Sequence, residues 1–283
     1  MTCSTCDSAN TTVLSHHMMR CSDCTFFFVE PEERARQQAS FTTTTQETPS
    51  PERIAKLKQK YPKDNPPRKH LYQQYAQTAF DWYGSDMQAL DIGASGGFFL
   101  YELEQLGVPA SNLVVNEIDL SYIALTKDYF GYKTEVTNIE QYTPDRQFDL
   151  ITMFDVLEHI DDFDKTLQII HNSLKPGGRL ILKLPNGRFA YLKYKLAKLL
   201  GRTDKVATYL YIAPGGHLNY WNCDNIKHLE STGFTFESAQ TLRPTRQQFA
   251  RQYVPRMIAY RIDQLLGLSL FPEFVAILQK PNR

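Results

Sequence analysis

The chain has 283 residues, 42% of them hydrophobic, and its 31 Lys+Arg balance 31 Asp+Glu. That length supports one sizeable core and a small accessory module. Zero net charge argues against broad binding along a nucleic-acid backbone, although a local basic patch stays compatible with it.

The opening residues, MTCSTCDSANTTV, hold no basic stretch followed by an apolar run, and no run nears the roughly 20 apolar residues of a membrane span. The expectation is a soluble, cytoplasmic protein, in which structural disulfides are disfavoured. Cys3, Cys6, Cys21 and Cys24 therefore need another role. Their two C-x2-C pairs have zinc-ribbon form. Each pair can sit on a tight turn that aims two thiolates at one point, and VLSHHMMRC and CTFFFVE supply strands for a hairpin between them. A redox dithiol is the rival reading of a single pair. Four protein ligands leave no open position, so the expected Zn2+ is structural. His16 and His17 are expected on the exposed hairpin, and Cys223 as a small buried apolar group.

Residues 1–38 thus form a zinc-ribbon-like module, residues 39–67 a linker with one short helix, and residues 68–283 the main domain. In the linker, Pro51 suits the first turn of the helix PERIAKLKQKY, and NPP at 65–67 breaks it. From residue 68 helices and strands alternate. RKHLYQQYAQTAFDWYG reads as a helix, MQALDI as a strand, GFFLYELEQLG as a helix, NLVVNEI as a strand and SYIALTKDYFG as a helix. YKTEV and FDLITMF follow as strands, then the glycine-closed helix FDKTLQIIHNSLKPGG, the strand RLILKL, the helix CDNIKHLESTGF and the closing strands FTFESAQTL and PEFVAILQK. Continuous apolar strands between helices imply a buried, mostly parallel sheet with helices on both faces.

The stretch LDIGASGGFFL, residues 90–100, carries the chemistry. Asp91, Gly93, Ser95 and Gly97 follow D-x-G-x-[GS]-x-G between a strand and a helix. The dinucleotide fingerprint does not fit, because Ser95 takes its second glycine position and Phe98 its third, and no lysine ends a phosphate loop. An acid just ahead of the turn is awkward beside a pyrophosphate and comfortable beside an ammonium group.

These residues resemble the first motif of class I S-adenosylmethionine (SAM)-dependent methyltransferases, and the later segments of residues 70–280 resemble that family in order. The resemblance implies a Rossmann-like, seven-stranded sheet with one reversed edge strand. It implies SAM as cofactor, with Asp91, Gly93, Ser95, Gly97 and Phe98 at the turn. It implies an acid on the ribose, either Asp119 or Glu117, from LVVNEIDLSYIAL. Asn138 would contact adenine and Ile139 cover its ring. FDVLEHIDDF and GGHLNYW resemble the family's substrate side, where Asp155 would face the methionine portion or the acceptor and His217 or His159 would serve as base. A helix starting near Asp155 would put Asp155 and His159 on one face, with Glu158 capping or pairing locally. The cysteine module is similar to that of bacterial methyltransferases acting on sugars or small secondary metabolites.

The implied function is methyl transfer to a small molecule such as a sugar, nucleotide sugar or secondary metabolite. An RNA-modifying methyltransferase, a non-catalytic zinc-ribbon interaction protein and an NAD(P)-dependent oxidoreductase are the alternatives. RFAYLKYKLAKLLGRTDK and TRQQFARQYVPRMIAYRIDQLLG are basic and apolar. A lid or packing role is favoured for the first over peripheral membrane contact. Arg243, Arg246 or Arg251 would suit an anionic substrate.

Overall fold

The computed structural model describes residues 2–15, 17–37, 48–66, 68–202, 216–244 and 253–282. Arg246 and Arg251 fall outside them.

The main sheet has the order β10-β11-β8-β7-β4-β5-β6. Its centre is β4 (Ala89–Ile92), flanked in parallel by β5 (Leu113–Asn116) and β7 (Phe148–Phe154). Parallel pairing continues to β6 (Lys133–Glu135) and β8 (Leu174–Pro185). Strand β11 (Glu273–Gln279) runs antiparallel to β8, and β10 (Thr235–Thr241) antiparallel to β11. The reversed strand is thus β11, one place in from the edge that β10 forms; the expected reversed edge strand is corrected to this extent. Central strands buried on both faces explain why ALDI and LVVN carry no apolar alternation.

The period of two still sorts their side chains. Leu90, Ile92, Val114, Ile151, Met153, Leu180 and Leu182 join one core. Ala89, Val115, Leu150, Phe154 and Ile181 join the other, under helices α3 (Lys69–Tyr83) and α4 (Phe98–Gln105). Asp91, Thr152 and Lys183 share that second face by register.

Local chemistry sets the helix ends. Helix α1 covers residues 31–37. Helix α2 (Pro51–Lys60) starts at Ser50, whose side chain accepts from the Arg53 N–H, with Pro51 behind it. Asp119 caps α5 (Leu120–Tyr129) and Asp162 caps α6 (Phe163–Ser173) in the same way. Helix α6 stops before the predicted glycine, because Pro176 forces the residues ahead of it into extended backbone. Asn186 caps α7 (Gly187–Leu199), and α8 spans Tyr253–Leu266. The segment predicted as a helix at CDNIKHLESTGF is a 3-10 helix, Ile226–Thr232.

The N-terminal strands β1 (Thr11–Ser15), β2 (Met18–Cys21) and β3 (Phe27–Val29) form an antiparallel sheet whose fourth strand is β9 (Asn219–Tyr220), from the main domain. Phe26 packs on Trp221 with ring centroids 5.1 Å apart. Asn225 donates to the Cys24 carbonyl at 3.1 Å, and the Arg34 guanidinium to Asn219 Oδ1 at 2.8 Å. The ribbon shares its core with α6 and the 226–232 segment.

Candidate active site

The turn after β4 supplies the floor of the site. Gly93, Ser95 and Gly97 all have positive φ (+63°, +49° and +77°). Gly93 has a second reason to be glycine, since a Cβ there would lie 2.4 Å from Val156 Cγ2. Glu117 sits beneath the turn. Its carboxylate accepts the Ser95 N–H at 2.9 Å, the Ile118 N–H at 2.8 Å and the Asp119 N–H at 3.0 Å. Asp91 accepts from the Thr152 hydroxyl at 2.6 Å. Burial pushes Asp91 up to about 7 and raises Glu117 as well, although three backbone N–H groups pull the latter down. Among the described residues neither carboxylate has a cationic ion-pair partner.

A cavity of about 290 Å³ opens above this floor. Asp91, Gly93, Ala94 and Ser95 line its base, aromatic rings of Tyr61, Tyr72, Phe98, Phe99 and Phe154 its walls, and Lys60, Arg68 and Asp155 complete it. Asp91, Gly93, Ser95, Phe98 and Asp155 are therefore gathered as the sequence suggested, with Gly97 capping α4 just behind. Glu117 and Asp119 separate. Glu117 faces the turn, whereas Asp119 caps α5 and pairs with Arg53 at 2.9 Å. Asn138 and Ile139 do not line the cavity. Asn138 caps a 3-10 turn by accepting from the Glu140 N–H, and Ile139 is buried in the core.

Several cavity groups were not singled out from sequence. Lys60 and Tyr61 come from the stretch read as linker, because α2 packs on α5 and Tyr61 stacks on Phe98 at 6.1 Å. Lys183 is fully buried in β8 and pairs with Asp155 and Glu273, while Arg68 pairs with the same two carboxylates. A lysine inside the apolar run RLILKL was the available signal. Burial lowers Lys183 to about 8.

Asp155 has φ +57°, so no helix starts there; a 3-10 turn, Leu157–His159, follows instead, correcting the expected pairing of Asp155 and His159 on one helix face. The turn directs Glu158 inward, fully buried, with no hydrogen-bond partner on either carboxylate oxygen among the described residues. His217 Nε2 lies 3.9 Å from Glu158 Oε1, and the His159 and His217 rings meet edge-on at 4.9 Å. Each imidazole uses Nδ1 outward: His159 donates to the Gly216 carbonyl at 3.0 Å, and His217 Nδ1 lies 3.0 Å from the Tyr220 hydroxyl. Burial pushes Glu158 up to about 7 and His217 down to about 3. One ligand atom from each of the three lies within 4.8 Å of the others. Such a set can share a proton or hold a cation.

At the other end of β9's sheet, Cys3 and Cys24 Sγ are 3.6 Å apart, Cys6 and Cys21 Sγ 3.7 Å, and all four fall within 4.8 Å. None is in a disulfide. A tetrahedral ion with metal–sulfur bonds of about 2.3 Å needs sulfurs about 3.8 Å apart. His17 is exposed and pairs with Glu30, away from the thiols.

A family model described as a methyltransferase domain matches residues 49–239. The chain belongs to this methyltransferase-domain family. In this chain the match starts at α2, so the cavity's Lys60 and Tyr61 lie within it and the cysteine strands outside. A ubiquinone biosynthesis O-methyltransferase of Pseudomonas aeruginosa is 29% identical over 103 residues, 35% of this chain and 44% of that one. One from Coxiella burnetii is 31% identical over 107 residues, 36% of this chain and 46% of that one. The chain thus spans under half the length of these curated relatives. Among solved structures, a plantazolicin methyltransferase in complex with a pentazolic desmethylPZN analog and S-adenosylhomocysteine superposes with a TM-score of 0.54 at 14% identity, covering 88% of this chain and 96% of that one. An S-adenosylmethionine-dependent methyltransferase of Mesorhizobium loti gives 0.52 at 14% identity, over 73% and 96%. These likenesses establish the chain's Rossmann-like fold. No helix among its described residues is long and apolar enough to cross a membrane.

Proposed function

We propose that the chain transfers a methyl group from SAM to a small-molecule acceptor. One observation carries this reading: two buried carboxylates, Asp91 and Glu117, flank a glycine turn, and neither has an ion-pair partner among the described residues. A phosphate-bearing cofactor would be repelled there. A cofactor with an ammonium group and a ribose diol would satisfy both acids. Asp91 would hold the ammonium. Glu117 has about one lone-pair site left beside its three backbone donors, enough for a ribose hydroxyl. Lys60 or Arg68 would meet the methionine carboxylate, and the aromatic walls would keep water out. When bound, the cofactor supplies an already activated methyl group, so the protein's main task is alignment.

On the acceptor side, Glu158 at about 7 is poised to take a proton near neutral pH, with His217 the group that relays it from an acceptor hydroxyl and His159 holding the 216–217 backbone. Asp155, held by Lys183 and Arg68, would fix the cofactor's or acceptor's polar end. We further propose one structural Zn2+ on Cys3, Cys6, Cys21 and Cys24, where the sulfur spacing fits the ion. Calorimetry on zinc-loaded protein should show S-adenosylhomocysteine binding at one site and none for NADH, and metal analysis should find one zinc per chain. NADH binding without S-adenosylhomocysteine binding would replace this reading with the oxidoreductase one.

A further inference from the structure

Apart from Val13 and Val136, every exposed large hydrophobic side chain among the described residues lies on α7, on α8 or at their ends. Helix α7 has two apolar stripes. Ala190, Tyr194 and Ala197 pack against Met18, Phe27 and Val29 of the ribbon. On the other side Leu192, Leu196 and Leu199, spaced i, i+4, i+7, stay in solvent with Leu200; Leu199 is 82% exposed. Helix α8 also leaves an apolar stripe in solvent. Asp263 is its one buried residue, while Val254, Ile258, Ile262, Leu265 and Leu266 line the outer side, Leu265 at 85% exposure. A soluble helix normally turns such a stripe inward.

The start of α7 and the segment just beyond α8 meet at one corner. Asn186, at the foot of α7, donates to the Ser269 and Phe271 carbonyls, and Arg188 to the Leu268 carbonyl, all just beyond α8. Helix α7 leaves the carboxyl end of β8, and α8 joins the end of β10 to the start of β11, which pairs there with Pro185. Both therefore stand at the edge of the sheet where the β4 turn opens.

We propose that this face docks on an anionic lipid bilayer. The charge pattern selects that occupant. Residues 187–202 contain Arg188, Lys193, Lys195, Lys198 and Arg202 and no acidic residue. Helix α8 adds Arg256 and Arg261, and its single acid, Asp263, is turned inward to the Leu270 N–H. A second copy seated symmetrically would bring these cations against their own equivalents. Anionic headgroups would meet Lys195, Lys198, Arg202 and Arg261, Arg188 being paired with Asp224, while the leucines and isoleucines enter the acyl boundary. Docking this way sets the site's edge of the sheet toward the bilayer, and it stands independently of the chemistry proposed above.

The test is cosedimentation of the full, zinc-loaded chain with vesicles of phosphatidylglycerol mixed with phosphatidylcholine, and with phosphatidylcholine alone. Binding should favour the anionic vesicles and weaken with salt. The K195Q/K198Q pair should lose roughly fivefold per lysine on anionic vesicles only. The L199E/L265E pair should lose tenfold or more on both, with circular dichroism and S-adenosylhomocysteine affinity unchanged as controls of folding. Absence of vesicle binding by the wild type would overturn the proposal. So would a wild-type dimer, seen by light scattering, that L199E/L265E dissolves.

Discussion

Replacing Asp91 with asparagine should stabilise the ligand-free protein and weaken its cofactor binding. An ordinary aspartate titrates near 3.8, and burial pushes this one to about 7. At about 1.4 kcal/mol per tenfold, keeping it ionised at pH 7 costs the folded protein on the order of 4 kcal/mol. The folded value lies above the unfolded one. The cost is therefore absent below about pH 4, grows as pH rises from 3.8 toward 7, and is fully present above that window. Asparagine keeps the shape and the oxygen that accepts from Thr152. With imperfect satisfaction of its new N–H groups, a net gain of about 2 kcal/mol at pH 7.5 should raise the melting temperature by roughly 4–8 °C. The gain should fade as the pH is lowered to 4. Loss of a buried charge partner should meanwhile weaken S-adenosylhomocysteine by roughly 30-fold or more in calorimetry. A lower melting temperature with unchanged affinity would mark Asp91 as a structural hydrogen-bonder and remove the anchor of the cofactor reading.

Three further outcomes are expected. G93A should abolish S-adenosylhomocysteine binding and lower the urea midpoint, and adding V156A should recover part of the midpoint but not the cost of the left-handed backbone; full recovery would mean the turn carries no strain. D119A should cost about 1 kcal/mol of stability through the lost cap and little affinity, whereas E117Q should cost affinity; the reverse result would move the ribose contact to Asp119. E158Q should lower kcat and erase an inflection near pH 7 in its pH profile while leaving the KM for SAM unchanged, and an intact inflection would assign the proton to another group.

The sheet was readable because each central strand is a short apolar run between helix signals. The turn after β4 was readable because positive φ favours glycine at Gly93 and Gly97, a few residues from Asp91. Contacts made by distant segments were not. Nothing near PERIAKLKQKY announces that Tyr61 will stack on Phe98 or Arg53 pair with Asp119, since both depend on α2 folding back over α5. Glu117 and Asp119 lie two residues apart and became distinct only when the strand ended at Asn116 and the helix took Asp119 as its cap. The helix expected at Asp155 gave way to tertiary demand: a left-handed residue there turns Glu158 under the histidines, a conformation that local propensity disfavours.

The pairing of β3 with β9 also constrains how the chain is born. Phe27 finds Tyr220 roughly 190 residues later in the chain. At typical synthesis rates of about 5–20 residues per second, the cysteine strands emerge about 10–40 s before their fourth strand exists. For that interval the thiols can be gathered, but Phe26 has no Trp221 to cover it. If the proposed zinc is captured early by the nascent chain, it would hold three short strands together through the exposure, so zinc supply during synthesis should govern the yield of folded protein more than zinc supply afterwards.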